Sequence, residues 1–86
     1  MKTKKEDLIL AGSSVLISPG EMVRELRTLK ELSQLDLASI TGISQTNISA
    51  IENGRVQIGK ERAITLARAL NVHPASIMFA DYEEAA

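Results

Sequence analysis

The chain has no cysteine and no tryptophan, one tyrosine, one phenylalanine, one histidine and two prolines. Each scarcity excludes something. Without cysteine there are no disulfides, no thiolate metal ligands and no thiol nucleophiles, which suits a reducing cytoplasm. With aromatics at 2% of residues, the core must be built from Leu, Ile, Val, Ala and Met, which favours packed helices over a sheet. No apolar run approaches the ~20 residues needed to span a bilayer. Lys2, Lys4 and Lys5 are followed by Glu6 and Asp7, not by a signal-peptide apolar stretch. The expectation is therefore a cytoplasmic protein with no membrane partner.

Catalytic groupings are equally scarce. His73 precedes Pro74 in a predicted turn and has no second His or Cys with which to share a metal. Asp36, Glu52 and Glu61 fall on different predicted helices and form no paired-carboxylate site. The serines have capping or surface roles, with no base placed to activate one. No glycine loop cradles a phosphate, because Gly54 and Gly59 end and begin helices. Neither an enzyme nor a cofactor is expected.

What is present is one small domain, 86 residues long and 44% hydrophobic. Its net charge of −1 is not the basic balance of many nucleic-acid binders. The distribution matters more. Without the acidic tail, residues 81–86, the chain carries 10 basic side chains against 8 acidic ones. Arg55, Lys60 and Arg62 follow closely on residues 44–53. They can serve as phosphate contacts or as solvated surface charges, and for Arg62 the two readings stay open.

The chain divides into an N-terminal arm (1–17), a helical domain (18–80) and the acidic tail (81–86). The arm carries Leu8, Ile9, Leu10, Ala11, Val15, Leu16 and Ile17, too apolar for a purely solvated segment, with a short strand expected at Val15 to Ile17. A first helix starts at Ser18-Pro19, with Glu21 at capping-box spacing from Ser18 and a buried stripe of Met22, Val23, Leu26 and Leu29. A second runs from Gln34 to Thr41 and a third from Gln45 to Asn53. Ser33 and Ser44 are placed as their N-caps, and Gly42 ends the second. Asn53-Gly54 is a helix stop, since both residues tolerate a left-handed backbone. A fourth helix, Lys60 to Leu70, turns Ala63, Ile64, Ala67 and Leu70 inward. A short fifth follows Pro74 and brings in Ile77, Met78 and Phe79. Five helices without an interior strand make an all-α bundle.

Within it, residues 33–53 are two short helices joined by one tight turn. Leu37, Ala38, Ile43, Ile48 and Ile51 form the apolar side, while Gln45, Thr46, Ser49 and Asn53 present small hydrogen-bonding groups outward. Such a helix-turn-helix matches the donors and acceptors of base edges and phosphates in a DNA major groove.

The motifs Leu26-Arg27, Leu32-Ser33-Gln34, Leu37-Ala38, Thr41-Gly42-Ile43-Ser44-Gln45, Ile48-Ser49, Ile51-Glu52-Asn53-Gly54-Arg55 and Leu66-Ala67-Arg68-Ala69-Leu70 resemble the Cro/C1-type, lambda-repressor-like helix-turn-helix domain of the Xre family. The resemblance covers residues 19 to 79. Ile58-Gly59 to His73-Pro74 and Phe79 are similar to small bacterial regulators, many of them HigA-like antitoxins paired with RelE-type toxins. Two positions depart from the pattern. Glu31 stands where the family often has glycine, and Leu35 where it usually has a charged residue.

The resemblance implies roles. Gln45 and Thr46 take the base-reading positions, with Ser49 and Ala50 facing the groove one turn on. Gln34 grips a phosphate or braces the next helix. Asn47, Arg55 and Lys60 reach the phosphate backbone. Asn53 serves there too, or only ends its helix. Arg27 and Glu52 pair as a structural ion pair, and Ser44 is a cap. The expected activity is that of a transcriptional repressor binding double-stranded DNA as a homodimer. The alternative is an antitoxin that neutralises a RelE-like toxin and autoregulates its operon.

Overall fold

A computed structural model of the protein describes residues 17–81. The expected arm, with its strand at Val15 to Ile17, and the acidic tail lie outside the described residues, save for Ile17 and Asp81. Within them the chain runs α1 (Pro19–Leu29), α2 (Gln34–Thr41), α3 (Gln45–Glu52), α4 (Lys60–Leu70) and α5 (Pro74–Met78), with no strand among the described residues.

Helix starts follow side-chain capping. Ser18 Oγ accepts from Glu21 N at 3.1 Å while Ser18 N donates to Glu21 Oε1 at 2.9 Å, a reciprocal box that accounts for two otherwise orphaned donors. Ser33 and Asp36 repeat it at 2.9 and 2.8 Å.

Helix ends follow backbone conformation. Glu31, Gly54 and Asn71 have φ of 59°, 78° and 62°, and each closes its helix in the same way. At α1, Glu31 N donates to Thr28 O and Leu32 N to Arg27 O. At α3, Gly54 N donates to Ile51 O and Arg55 N to Ala50 O. At α4, Asn71 N donates to Arg68 O and Val72 N to Ala67 O. These are three Schellman motifs, each needing one left-handed residue. The stop expected of Asn53-Gly54 thus belongs to Gly54 alone, because Asn53 keeps φ at −93° and α3 ends at Glu52. Glu31 answers the first family departure: the residue occupies the glycine position and accepts the left-handed backbone.

The core is aliphatic. Val23, Leu37, Ile43, Ile48, Ile51, Leu66, Ala67, Leu70 and Ile77 form one buried cluster, with Met22, Leu26, Leu32, Ala38 and Ile58 packed around it. Three expectations need correcting. Leu29 is 76% exposed, because α1 packs on α3, α4 and α5 and its final turn leaves that side chain uncovered. In α4 the buried stripe is Ala63, Leu66, Ala67 and Leu70, the i, i+3, i+4, i+7 set, and Ile64 lies at its edge, half-buried. Phe79 falls just after α5 rather than within it and is 57% exposed.

Gly20 is a point where two helix backbones meet. A Cβ placed there would fall against the Ile51 carbonyl oxygen, 3.0 Å from the Ile51 carbonyl carbon and 3.3 Å from Glu52 Cα. The start of α1 therefore rests directly on the backbone at the end of α3, and that contact brings Arg24 and Arg27 over Glu52.

Candidate nucleic-acid interface

The turn between α2 and α3 is held by its own polar groups. Gly42 adopts φ 80° and donates from its N to Ala38 O, ending α2. Thr41 Oγ1 donates to Leu37 O at 2.7 Å and accepts from Ile43 N at 3.1 Å, which spans the bend. Ile43 is buried in the core, and Ser44 Oγ accepts from Asn47 N at 3.1 Å to start α3. With Ile48 and Ile51 buried, α3 turns Gln45, Thr46 and Asn47 fully outward and leaves Ser49 and Ala50 half-exposed.

Behind this face lies one buried charge. The Glu52 side chain is 0% exposed, and its two oxygens collect four donor atoms. Arg27 Nε lies 2.7 Å from Oε2, and Arg27 Nη2, Gln34 Nε2 and Arg24 Nε lie 3.0, 3.1 and 3.5 Å from Oε1. Burial pushes the Glu52 carboxyl up, but the donors from Arg27, Gln34 and Arg24 outweigh it and hold the group below its ordinary value. Bonding to Glu52 raises the Arg27 guanidinium against the opposing effect of its own burial. Arg27 also donates from Nη1 to Leu32 O at 2.8 Å, tying α1 to the chain entering α2. No buried side-chain nitrogen or oxygen among the described residues lacks a partner.

This charge sets polarity on the surface. A carboxylate only accepts hydrogen bonds, so Gln34 must turn its NH2 toward Glu52. Its Oε1 is then left for Gln45, whose Nε2 donates to it at 3.3 Å. Gln45 is in turn left with its Oε1 and one N–H facing outward. An acceptor beside a donor on one planar amide complements adenine N6–H and N7.

The remaining candidates are distributed around α3. Asn53 Oδ1 accepts from Arg24 Nη2 at 2.8 Å, and Asn53 Nδ2 donates to Ser49 Oγ at 3.3 Å. Arg55, beyond the α3 Schellman motif, and Lys60, the first residue of α4, are both exposed. The structure therefore brings Gln34, Gln45, Ser49 and Asn53 into hydrogen-bonded contact with α3 or with one another, and leaves Thr46, Asn47, Arg55 and Lys60 extended into solvent. Arg24 is the residue that the sequence reading missed. Its signal was present, since it stands three residues before Arg27 and so on the same face of α1.

Two further observations bear on the chemistry. No group of three or more His, Cys, Asp or Glu among the described residues could hold a metal ion. No described helix is long and apolar enough to cross a membrane.

The model of the helix-turn-helix family HTH_3 matches residues 23–77. A comparison with curated protein sequences gives no match. Among solved structures, the restriction-modification controller protein C.AhdI from Aeromonas hydrophila is similar at 33% identity. The match covers 70% of this chain and 91% of that one, with a TM-score of 0.66. The P22 c2 repressor, solved in complex with synthetic operator 9T, is 26% identical over 76% of this chain and 98% of its own, with a TM-score of 0.70. The clp gene regulator ClgR from C. glutamicum shares the fold at 24% identity and a TM-score of 0.67, over 73% of this chain and 82% of its own.

Proposed function

This chain belongs to the Cro/C1-type helix-turn-helix family, matched over residues 23–77, and on that premise we propose that it is a sequence-specific DNA-binding transcription regulator acting as a repressor. The observation that carries the reading is the relay Glu52–Gln34–Gln45, which gives an outward amide a defined donor and acceptor at the start of α3. Gln45 and Thr46 read base edges, with Ser49 and Ala50 one turn further along the groove. The Thr46 methyl packs on a thymine methyl. The Gln34 side chain is engaged with Glu52 and Gln45, so its phosphate contact is made by the backbone at the α2 N-terminus, where the helix dipole favours an anion. Asn47, Asn53, Arg55 and Lys60 hold the phosphate backbone on either side.

One α3 reads only a few base pairs, so useful specificity takes two copies on a near-palindromic site one helical turn apart. The exposed Phe79 and Val56 supply apolar surface for such a homodimer. The repressor reading is preferred to the antitoxin one because two similar proteins above a quarter identity are a restriction-modification controller and a repressor.

The test is selection of duplexes from a randomised pool. The parent enriches a near-palindrome. Gln45→Ala loses ~1–3 kcal/mol on it and relaxes one position per half-site, while Arg55→Ala weakens binding to every sequence about equally. By sedimentation at micromolar protein, the selected duplex carries two copies. Failure to enrich any sequence, or a single copy on the enriched duplex, overturns the model.

A further inference from the structure

Arg24 lies on α1, outside the two helices that form the helix-turn-helix, yet it reaches the far end of the recognition face. Its side chain is 46% exposed, and it divides its donors between the buried charge and the surface. Nε lies 3.5 Å from Glu52 Oε1, and Nη2 donates to Asn53 Oδ1 at 2.8 Å. A guanidinium carries donors only, so whichever end of the Asn53 amide faces it must be the oxygen. The Asn53 NH2 is thereby turned toward Ser49 Oγ, 3.3 Å away. A hydroxyl that accepts there keeps its own hydrogen for another acceptor. If the Asn53 amide flipped, Ser49 would donate to Asn53 and show only lone pairs outward.

We propose that Arg24 is a positioning residue for DNA recognition: it fixes the polarity of Asn53, and through Asn53 it makes the Ser49 hydroxyl a hydrogen-bond donor toward a base-edge acceptor such as purine N7, guanine O6 or thymine O4. This rests on the DNA-binding reading above. Two brackets then orient the face. Gln34 sets Gln45 at the start of α3, and Arg24 sets Ser49 and Asn53 at its end, both working from Glu52. The arrangement explains why an arginine stays turned onto an exposed asparagine when it could extend into solvent.

The experiment takes the duplex enriched by the parent and measures binding to all single-base variants of it at fixed salt, for Arg24→Met, Arg24→Lys, Ser49→Ala and the Arg24→Met/Ser49→Ala double variant. Arg24→Met should lose discrimination by about five- to tenfold at the position that Ser49→Ala also relaxes, with tolerance extending to bases that offer an amino donor there. The double variant should lose no more than Ser49→Ala alone, because both act through one hydroxyl. Arg24→Lys, still donor-only, should keep the parental preference. Thermal melting of each variant reports the fold separately, and the Lys variant keeps the charge near Glu52. If Arg24→Met instead weakens every duplex by the same factor and lowers the salt slope by about one, Arg24 is a phosphate contact and the proposal fails. Additive losses in the double variant also overturn it. If the parent enriches no sequence, the DNA-binding reading itself fails and this one falls with it.

Discussion

Glu31 holds φ at 59° so that its N–H and that of Leu32 can close the end of α1. A left-handed backbone costs a residue with a Cβ on the order of 1–2 kcal/mol, and glycine relieves that at the expense of a more flexible unfolded chain. Glu31→Gly should therefore stabilise the domain by about 1 kcal/mol, seen as a higher urea midpoint at unchanged slope. Gly20 is the opposite case. Its missing Cβ makes room for the Ile51 carbonyl and the Glu52 backbone, and its neighbours are main chain that cannot rotate aside. Gly20→Ala should destabilise by about 3 kcal/mol or more in the same titration, since α1 must lift off α3 to admit one methyl group. Equal midpoints for Gly20→Ala and the parent would mean that the two backbones are not in contact.

At the scale of elements, the junction of α1, α2 and α3 depends on one buried carboxylate. Arg27 is 14% exposed at its side chain and Glu52 is 0% exposed, so the pair is shielded from the screening that weakens surface bridges. Arg27→Ala should destabilise by about 3 kcal/mol, because Glu52 keeps only Gln34 and Arg24 as donors and Leu32 O loses its partner. Replacing Arg27 with Met and Glu52 with Leu together should recover much of that stability in chemical denaturation. The same double variant should bind DNA less selectively than the parent, since Gln34 then has no acceptor to set its polarity. Stability and reading are thus separable: one follows burial, the other the direction of hydrogen bonds.

For the whole molecule, the titratable groups couple stability to pH. Glu52 sits below its ordinary value, as does Asp36, whose carboxylate accepts from the backbone and hydroxyl of Ser33. A carboxyl with a lowered folded pKa contributes stability that is fully present above its unfolded value, about 4.3 for Glu and 3.9 for Asp. That stability is lost as pH falls through the folded value. Unfolding free energy should therefore hold level from neutral pH to about 5 and decline below it. Glu52→Gln should start lower and decline less steeply across the acid range. A Glu52→Gln protein with the parental acid slope would remove Glu52 from that titration.

The helices were legible from local chemistry, because caps, left-handed stops and the 3.6-residue apolar period act between neighbours in sequence. Ser18, Ser33, Ser44, Gly42 and Gly54 marked element ends to within a residue, and the aliphatic composition specified how the core would be filled. The outward residues of α3 were legible for the same reason: Ile48 and Ile51 must face inward, so Gln45 and Thr46 face out. What escaped the sequence is what depends on helices meeting. Leu29 continued an apolar period, but among the described residues no neighbour covers its side chain at the end of α1, and period alone does not say how far a neighbour extends. Gly20 carried no sign that a second backbone would press against it. Arg24 lay on the right face of α1, yet only the packing of α1 on α3 could bring it to Asn53. The direction of the Gln34, Gln45 and Asn53 amides was likewise undecided until Glu52, an acceptor, and Arg24, a donor, were brought beside them. Residue type supplies the donors and acceptors; which way they point is settled by the charge buried behind them.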